Sequence, residues 1–424
     1  MKNLENSLIN LPIVTPQNTI WIAYSGGLDS QVLLHLCAHS IYRPQLKTIH
    51  VLHGLSKNAE QWVEHCQTTC QNWQIPLFVK YITIAQSKKE SLEEIARKER
   101  YQVFEELLKE KDVLLMAHHA NDQAETFLLR ALRGAGVEGL SAIPQQRSLG
   151  KGILCRPFLD ISRIALEQYA NENKLTWIED ESNCDERFDR NFLRHQIMPH
   201  LKSRWKNLEQ TFGRTAQLQT ENAQLLLEIA QEDFNKCRGI SDDTLNISNL
   251  LQLSQYRQTN VLRCWLKKLG FETPSQIKIK QIQQDILLSK PDRQPCVTWR
   301  NAEIRRYRKQ LYAMSPLPFS QPFEFIWNTH ENVKLPVGEL SSVSQKIGLK
   351  SGCYIVKYRQ GGEKCLLYGQ HHEIKKLLQE KGIPTWLRAF IPLIYDEKIV
   401  VAIPNVMIAD SYRVERGVEP IWKF

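Results

Sequence analysis

The string Tyr24-Ser25-Gly26-Gly27-Leu28-Asp29-Ser30 constrains this chain more than any other. A β-branched apolar run precedes it, and a helical pattern carrying Val32, Leu33, Leu36 and Cys37 follows, with the helix expected to start near Ser30. A strand, a glycine turn and a helix in that order aim free backbone N–H groups and a positive helix end at one spot, which suits a phosphate or pyrophosphate. Gly26 and Gly27 permit close backbone approach, and Ser25 and Ser30 add hydroxyl donors. Asp29, a poor direct partner for phosphate, is a candidate magnesium ligand. A bare Gly-Gly turn with an Asx or Ser cap would need no ligand, and that reading stays open for the glycine pair alone. Neither GxxxxGK[ST] nor GxGxxG occurs at this turn, which disfavours a Walker-type NTPase and a dinucleotide fold.

From residue 17 to about 180, short β-branched runs alternate with longer helical periods. The pattern predicts an α/β domain with a parallel, doubly wound sheet. Strands are expected over 19–24, 46–52, 77–83 and 113–117. A helix is expected over 91–111, opened by a capping box at Ser91 and Glu94 and carrying Arg97 and Arg100 on one face. Beyond Lys206 the alternation stops, and 208–233 and 254–268 read as amphipathic helices of an all-α or mixed region. The Pro-rich passage 315–322 marks a boundary, after which strands over 353–358 and 399–403 suggest a small α+β domain. The expected division is a catalytic domain over 1–205, a mainly helical substrate-binding domain over 206–315 and a small α+β C-terminal domain over 316–424.

Lys and Arg number 55 against 46 Asp and Glu, a formal charge of +9 that favours a polyanionic partner such as nucleic acid. The N-terminus lacks the continuous apolar stretch of a secretory signal and no run reaches membrane-span length, so a cytoplasmic location is expected. The ten cysteines are scattered; the closest pair, Cys66 and Cys70, is spaced CxxxC, not the CxxC of a zinc or redox site.

SGGxDS after a first strand resembles the PP-loop ATP pyrophosphatases, which include GMP, asparagine and NAD synthetases, tRNA thiolases and tRNA(Ile)-lysidine synthases. Four further strings resemble the lysidine synthases. His50-Val51-Leu52-His53-Gly54-Leu55-Ser56 ends the second strand, where ligands of open α/β sheets lie; singly, each histidine also reads as structural. Ala96-Arg97-Lys98-Glu99-Arg100-Tyr101 offers a phosphate clamp, or a solvated helix face. Residues 117–130, AHHANDQAETFLLR, continue into Arg133-Gly134-Ala135-Gly136 and Gly139-Leu140; they leave a strand and enter a helix capped by Asn121 or Asp122. Taken alone, HHxxDxxE could also bind a metal. Asn121 stands where the family commonly has the first Asp of DDQ. Glu179-Asp180-Glu181-Ser182-Asn183, with Arg190-Asn191-Phe192-Leu193-Arg194-His195, matches EDxSN and RNxxRH; its arginines could instead pair with Asp185, Glu186 and Asp189.

The resemblance implies that ATP adenylates the C2 carbonyl oxygen of the wobble cytidine in isoleucine tRNA with a CAU anticodon. The ε-amine of free L-lysine then attacks C2 and AMP leaves. It implies catalytic roles for Asp29, Asp122, Glu125 and His118, with Asp122 and Glu125 the candidates to meet the lysine ammonium. Nucleotide contacts fall to Ser25, Gly26, Gly27, Leu28, Asp29, Ser30, His50 and His53, with magnesium on Asp29. Substrate contacts, to tRNA or lysine, fall to Arg97, Arg100, Arg130, Arg133, Arg190, Asn191, Arg194 and, beside Gly361-Gly362 in the last domain, Arg359. In the C-terminal half, Ile304-Arg305-Arg306-Tyr307-Arg308-Lys309 places four cations around an aromatic ring. It suits phosphate contact and base stacking, or a strand with a basic solvated face. A homodimer is carried as an expectation. The alternatives are a PP-loop tRNA thiolase, disfavoured by the lack of CxxC, and a metabolite amide synthetase, disfavoured by the missing amidotransferase domain and the basic segments.

Overall fold

The computed structural model describes residues 2–8, 18–52, 58–82, 92–179, 185–241, 243–290, 293–318, 322–367 and 369–424. Its contacts divide the chain into two compact units, Met1–Leu226 and Leu227–Phe424.

The first unit is built on six strands: β1 (Ile20–Ala23), β2 (Leu46–Leu52), β3 (Leu77–Tyr81), β4 (Val113–Leu115), β5 (Gln146–Leu149) and β6 (Gly152–Cys155). Their order is β3-β2-β1-β4-β6-β5, parallel throughout except for β5, which runs antiparallel to β6. Helices α1 (Lys2–Asn6), α2 (Leu28–Ala38), α3 (Ala59–Asn72), α4 (Leu92–Leu107), α5 (Ala120–Leu132), α6 (Val137–Leu140) and α7 (Arg163–Glu172) lie between and around the strands. After them come α8 (Asp189–Phe192), a π-helical turn over Leu193–Ile197, α9 (Met198–Arg204) and the long α10 (Leu208–Lys236), whose residues from Leu227 onward belong to the second unit.

Strand alternation explains the two covered faces. Ile20 and Ile22 enter a core with Leu33, Leu34, Cys66 and Leu166, while Trp21 points into another with Phe104, Leu108 and Leu114. The expected strands are present; β1, β3 and β4 end short of the expected limits, whereas β2 coincides with them. Helix α4 stops at Leu107, not 111, because the chain reverses at Lys111, with φ +67°, and Asp112 Oδ2 accepts from the Lys109 N–H at 3.1 Å. Ser91 of the expected capping box lies outside the described residues.

The strand order reverses direction between β1 and β4, so the loops leaving the carboxyl ends of these two strands diverge and leave a crevice. Those loops are the glycine turn at 24–27 and the segment entering His118-His119.

In the second unit, helix Gln255–Lys268 falls where periodicity places it, with Ser254 Oγ accepting from Arg257 N at 3.4 Å as its cap. The helical stretch carries in addition an antiparallel sheet of β7 (Thr244–Asn246), β8 (Cys296–Trp299), β9 (Ala302–Tyr307) and β10 (Gln310–Met314). Strands Cys353–Tyr358 and Ile399–Ile403 match the expected limits and belong to a five-stranded sheet.

Candidate active site

The glycine turn is held by its own serines. Ser30 Oγ accepts from Ser25 N at 3.2 Å, lies 3.0 Å from Ser25 Oγ and donates to Gly27 O at 2.9 Å. Gly26 has φ +82°, and an added Cβ would meet Cys66 Sγ at 3.0 Å and Ile178 Cδ1 at 3.2 Å, so glycine is required on both counts. Helix α2 begins at Leu28, two residues before the expected start, and its N-cap Gly27 brings no side-chain acceptor. The first-turn N–H groups therefore remain available to an anion. His50 is 3% exposed and its Nδ1 lies 2.8 Å from Tyr24 O, so it braces the turn from beneath. His53 lies outside the described residues, as do residues 180–183 of the EDxSN element.

Asp29 stands in the first turn of α2, and burial pushes its carboxyl above the usual range, against the pull of His119 and Arg163. Its Oδ1 is buried and accepts no hydrogen bond, while Oδ2 lies 3.6 Å from His119 Nε2. His119 is the N-cap of α5, which corrects the expectation of Asn121 or Asp122. Its Nδ1 accepts from the Asn121 N–H at 3.2 Å, and Asp122 Oδ2 in return accepts from the His119 N–H at 3.1 Å. An imidazole can close this box as an Asx side chain does, because Nδ1 sits at the same distance from the backbone as the Asn oxygen.

Asp122 and Glu125, one turn apart on α5, meet Arg190 and Arg194. Arg190 Nη2 is 2.7 Å from Asp122 Oδ1 and its Nε 3.0 Å from Glu125 Oε2. Arg194 donates to both Glu125 oxygens, Nε to Oε1 at 2.7 Å and Nη2 to Oε2 at 2.9 Å. Burial would raise the Asp122 carboxyl, but His119 and Arg190 hold it down to about 2. The carboxylates expected to wait for an ammonium and the arginines expected to wait for phosphates thus neutralise one another. The pairing follows from burial: Glu125 is 2% exposed, and an ionised carboxylate there needs a counter-charge.

His118, expected to be catalytic, receives a hydrogen bond from Arg156 Nε at 3.2 Å, and burial, with Arg156 nearby, takes its pKa to about 3. It is neutral near pH 7 and no useful base there. Arg156, 2% exposed, also reaches Pro144 O at 2.6 Å and Tyr101 Oη at 3.3 Å. Sequence reasoning missed both Arg156 and His119; the available signal for Arg156 was an arginine closing the apolar run Ile153-Leu154-Cys155.

Arg97 lies over the Tyr101 ring at 5.3 Å, with Arg147 at 4.9 Å, and Arg100 shares α4. Arg130 Nη1 binds Gly139 O and Ala142 O at 2.9 and 2.7 Å, which closes the glycine-rich turn after α5. Arg133 pairs with Asp189 at 3.3 Å, both largely exposed, and Arg187 with the half-buried Asp185 at 2.6 Å, while Asn191 Nδ2 binds Asp185 O at 3.0 Å. Asn121 needs no charge: its amide nitrogen donates to Glu209 at 3.1 Å and its oxygen accepts from Arg163 N at 3.2 Å. Among the described residues no group of three or more His, Cys, Asp or Glu side chains is arranged to hold a metal, and Cys66 and Cys70 are buried thiols.

In the second unit the basic strand is used internally. Arg306 Nη1 binds the carbonyls of Ile286, Leu287 and Ser289 at 3.2, 3.0 and 2.8 Å, and Arg305 pairs with Glu303 at 2.8 Å. Arg308 donates to Gln379 O at 2.7 Å, and Tyr307 packs edge-on to Trp386. Helix ends leave bare carbonyls that a guanidinium satisfies well, which is why Arg306 turns toward the end of the helical turn at 282–287. Arg359 Nε lies 3.3 Å from Glu363 Oε2 beside Gly361, whose φ is +106°.

Residues 1–201 match the PP-loop domain, 245–312 the TilS substrate binding domain and 355–422 the TilS substrate C-terminal domain. The tRNA(Ile)-lysidine synthase of Coxiella burnetii is 40% identical over 430 residues, 99% of this chain and 95% of that protein. This chain belongs to the tRNA(Ile)-lysidine synthase family. The Serratia proteamaculans member is 38% identical over 412 residues, 95% of this chain and 94% of that one. A solved U34-tRNA thiolase, NcsA from Methanococcus maripaludis, aligns with TM-score 0.42 at 17% identity over 52% of this chain and 79% of that chain, too little to bear on function. As a lysidine synthase family member the chain is an ATP-dependent ligase, and the crevice between β1 and β4 lies in its ATP-using domain.

Proposed function

We propose that this chain joins L-lysine to C2 of the wobble cytidine in the CAU-anticodon isoleucine tRNA, through an adenylated cytidine, releasing AMP and pyrophosphate. Lysidine formation on tRNA(Ile) follows from family membership, and the observation that carries it is near-full-length similarity spanning all three family domains. A thiolase or amide synthetase is not favoured.

In this reading the turn of Ser25, Gly26, Gly27 and Leu28 and the first turn of α2 receive the ATP phosphates. The donor set fits magnesium: Asp29 Oδ1 is buried without a hydrogen bond, and magnesium usually takes one or two carboxylates together with substrate phosphates. Bound magnesium would neutralise phosphate charge as the α–β bond breaks. A pyrimidine carbonyl is a poor electrophile, and transfer of AMP to its oxygen supplies the leaving group that the lysine amine displaces.

The cluster of Asp122, Glu125, Arg190 and Arg194 carries both signs in one place, which suits an amino acid with an ammonium and a carboxylate. Asp122, held near 2, acts there as a fixed charge and not as a base. Arg97 and Arg100 of α4 and exposed Arg133 are assigned to tRNA phosphates. Residues 206–315 and 316–424 are assigned to tRNA recognition and 1–205 to catalysis in the cytoplasm.

The test is incubation with radiolabelled lysine, ATP and total bacterial tRNA. Label should enter one tRNA species; label in none, or in many, overturns the assignment.

A further inference from the structure

His119 joins three things on one ring. Its Nδ1 accepts the Asn121 N–H at 3.2 Å, so that nitrogen carries no proton, and a neutral imidazole must carry its proton on Nε2. Nε2 lies 3.4 Å from Asp122 Oδ2 and 3.6 Å from Asp29 Oδ2, between the two carboxylates, and the ring is 2% exposed. The cap therefore fixes the tautomer, and the tautomer aims one N–H between two carboxylates on different helices.

We propose that His119 is a positioning residue for adenylation, holding the phosphate-turn Asp29 against the α5 carboxylate Asp122 through its Nε2–H. Without that N–H, Asp29 and Asp122 face each other as like charges, and Asp122 disfavours the ionised form of Asp29. Asp29 then turns away from the orientation that leaves Oδ1 free. The cap on α5 holds the ring, and the ring holds the carboxylate on α2. This inference rests on the reading that Asp29 serves the nucleotide.

Cap and bridge separate by mutation. His119→Asn keeps an acceptor where Nδ1 sits, and so keeps the cap, but removes the Nε2–H. His119→Gln places an amide N–H near the Nε2 position while weakening the cap. The full chain is assayed for pyrophosphate release with ATP and tRNA, with kcat and KM for tRNA separated, alongside Tm. His119→Asn should keep the wild-type Tm and KM and lose about 100-fold in kcat, the scale of an ångström-level misplacement. His119→Gln should melt earlier yet retain more activity than His119→Asn. Activity that tracks Tm across both variants, or wild-type kcat in His119→Asn, overturns the proposal. Asp29→Ala run beside them separates the failures. If it is inactive while His119→Asn is normal, only the role of His119 is wrong; if it stays active, the nucleotide reading falls and the His119 proposal with it.

Discussion

Arg194 and Glu125, 69 residues apart, meet through two parallel hydrogen bonds of 2.7 and 2.9 Å, with the Glu125 side chain 3% exposed and that of Arg194 26%. A bidentate pair at this depth fixes the π-helical turn of Leu193–Ile197 against α5. Arg194→Ala leaves Glu125, among the described residues, with its Arg190 contact, and the expected loss is roughly 2 kcal/mol. Arg194→Lys should recover little, since an ammonium cannot reproduce the fork. Adding Glu125→Gln to Arg194→Ala should restore most of the stability; calorimetric Tm values for the singles and the double check it.

His118 gives the folded chain a pH dependence. Burial, with Arg156, Arg190 and Arg97 nearby and only Asp122 opposing, lowers its pKa from 6.5 to about 3. The unfolded chain takes up this proton first, so the contribution of His118 is full above about pH 6.5 and is lost as pH falls toward 3. His118→Gln should flatten the slope of Tm against pH in that window. An unchanged slope in a folded variant would place the proton elsewhere.

Asp29 is expected to cost stability and supply function. Burial raises its carboxyl, so the ionised form is disfavoured in the fold. Asp29→Asn should leave Tm unchanged or raise it slightly while abolishing pyrophosphate release. Retained ATP turnover would be incompatible with the nucleotide assignment.

Cys66 lies fully buried below the phosphate turn, and burial pushes its thiol up to about 12, which argues for packing and not sulfur chemistry. Cys66→Ser with Cys70→Ser should keep lysine transfer to tRNA. Gly26→Ala, by contrast, adds a Cβ 3.0 Å from that same sulfur at φ +82°, with about 1–2 kcal/mol of backbone strain besides, and should abolish ATP turnover. Transfer lost in a folded double serine variant would return the thiolase reading.

What the sequence by itself determined is what contiguous residues encode. Strand limits at 46–52, 353–358 and 399–403, the helix after Ser254 and the SGGLDS turn follow from period, caps and glycines, all properties of a few neighbouring residues. The family was legible for the same reason, since its strings are short and local. Tertiary structure alone decided the partners of the charges. Arg194 and Arg306 look alike in sequence, yet one closes on a carboxylate and the other on three helix-end carbonyls. The cap of α5 went to His119 although Asn121 and Asp122 have the better propensity, because Asn121 is drawn to Glu209 and Arg163, and Asp122 to Arg190. A charged side chain is satisfied equally by water or by a counter-charge, and only the fold brings a counter-charge within reach while excluding the water.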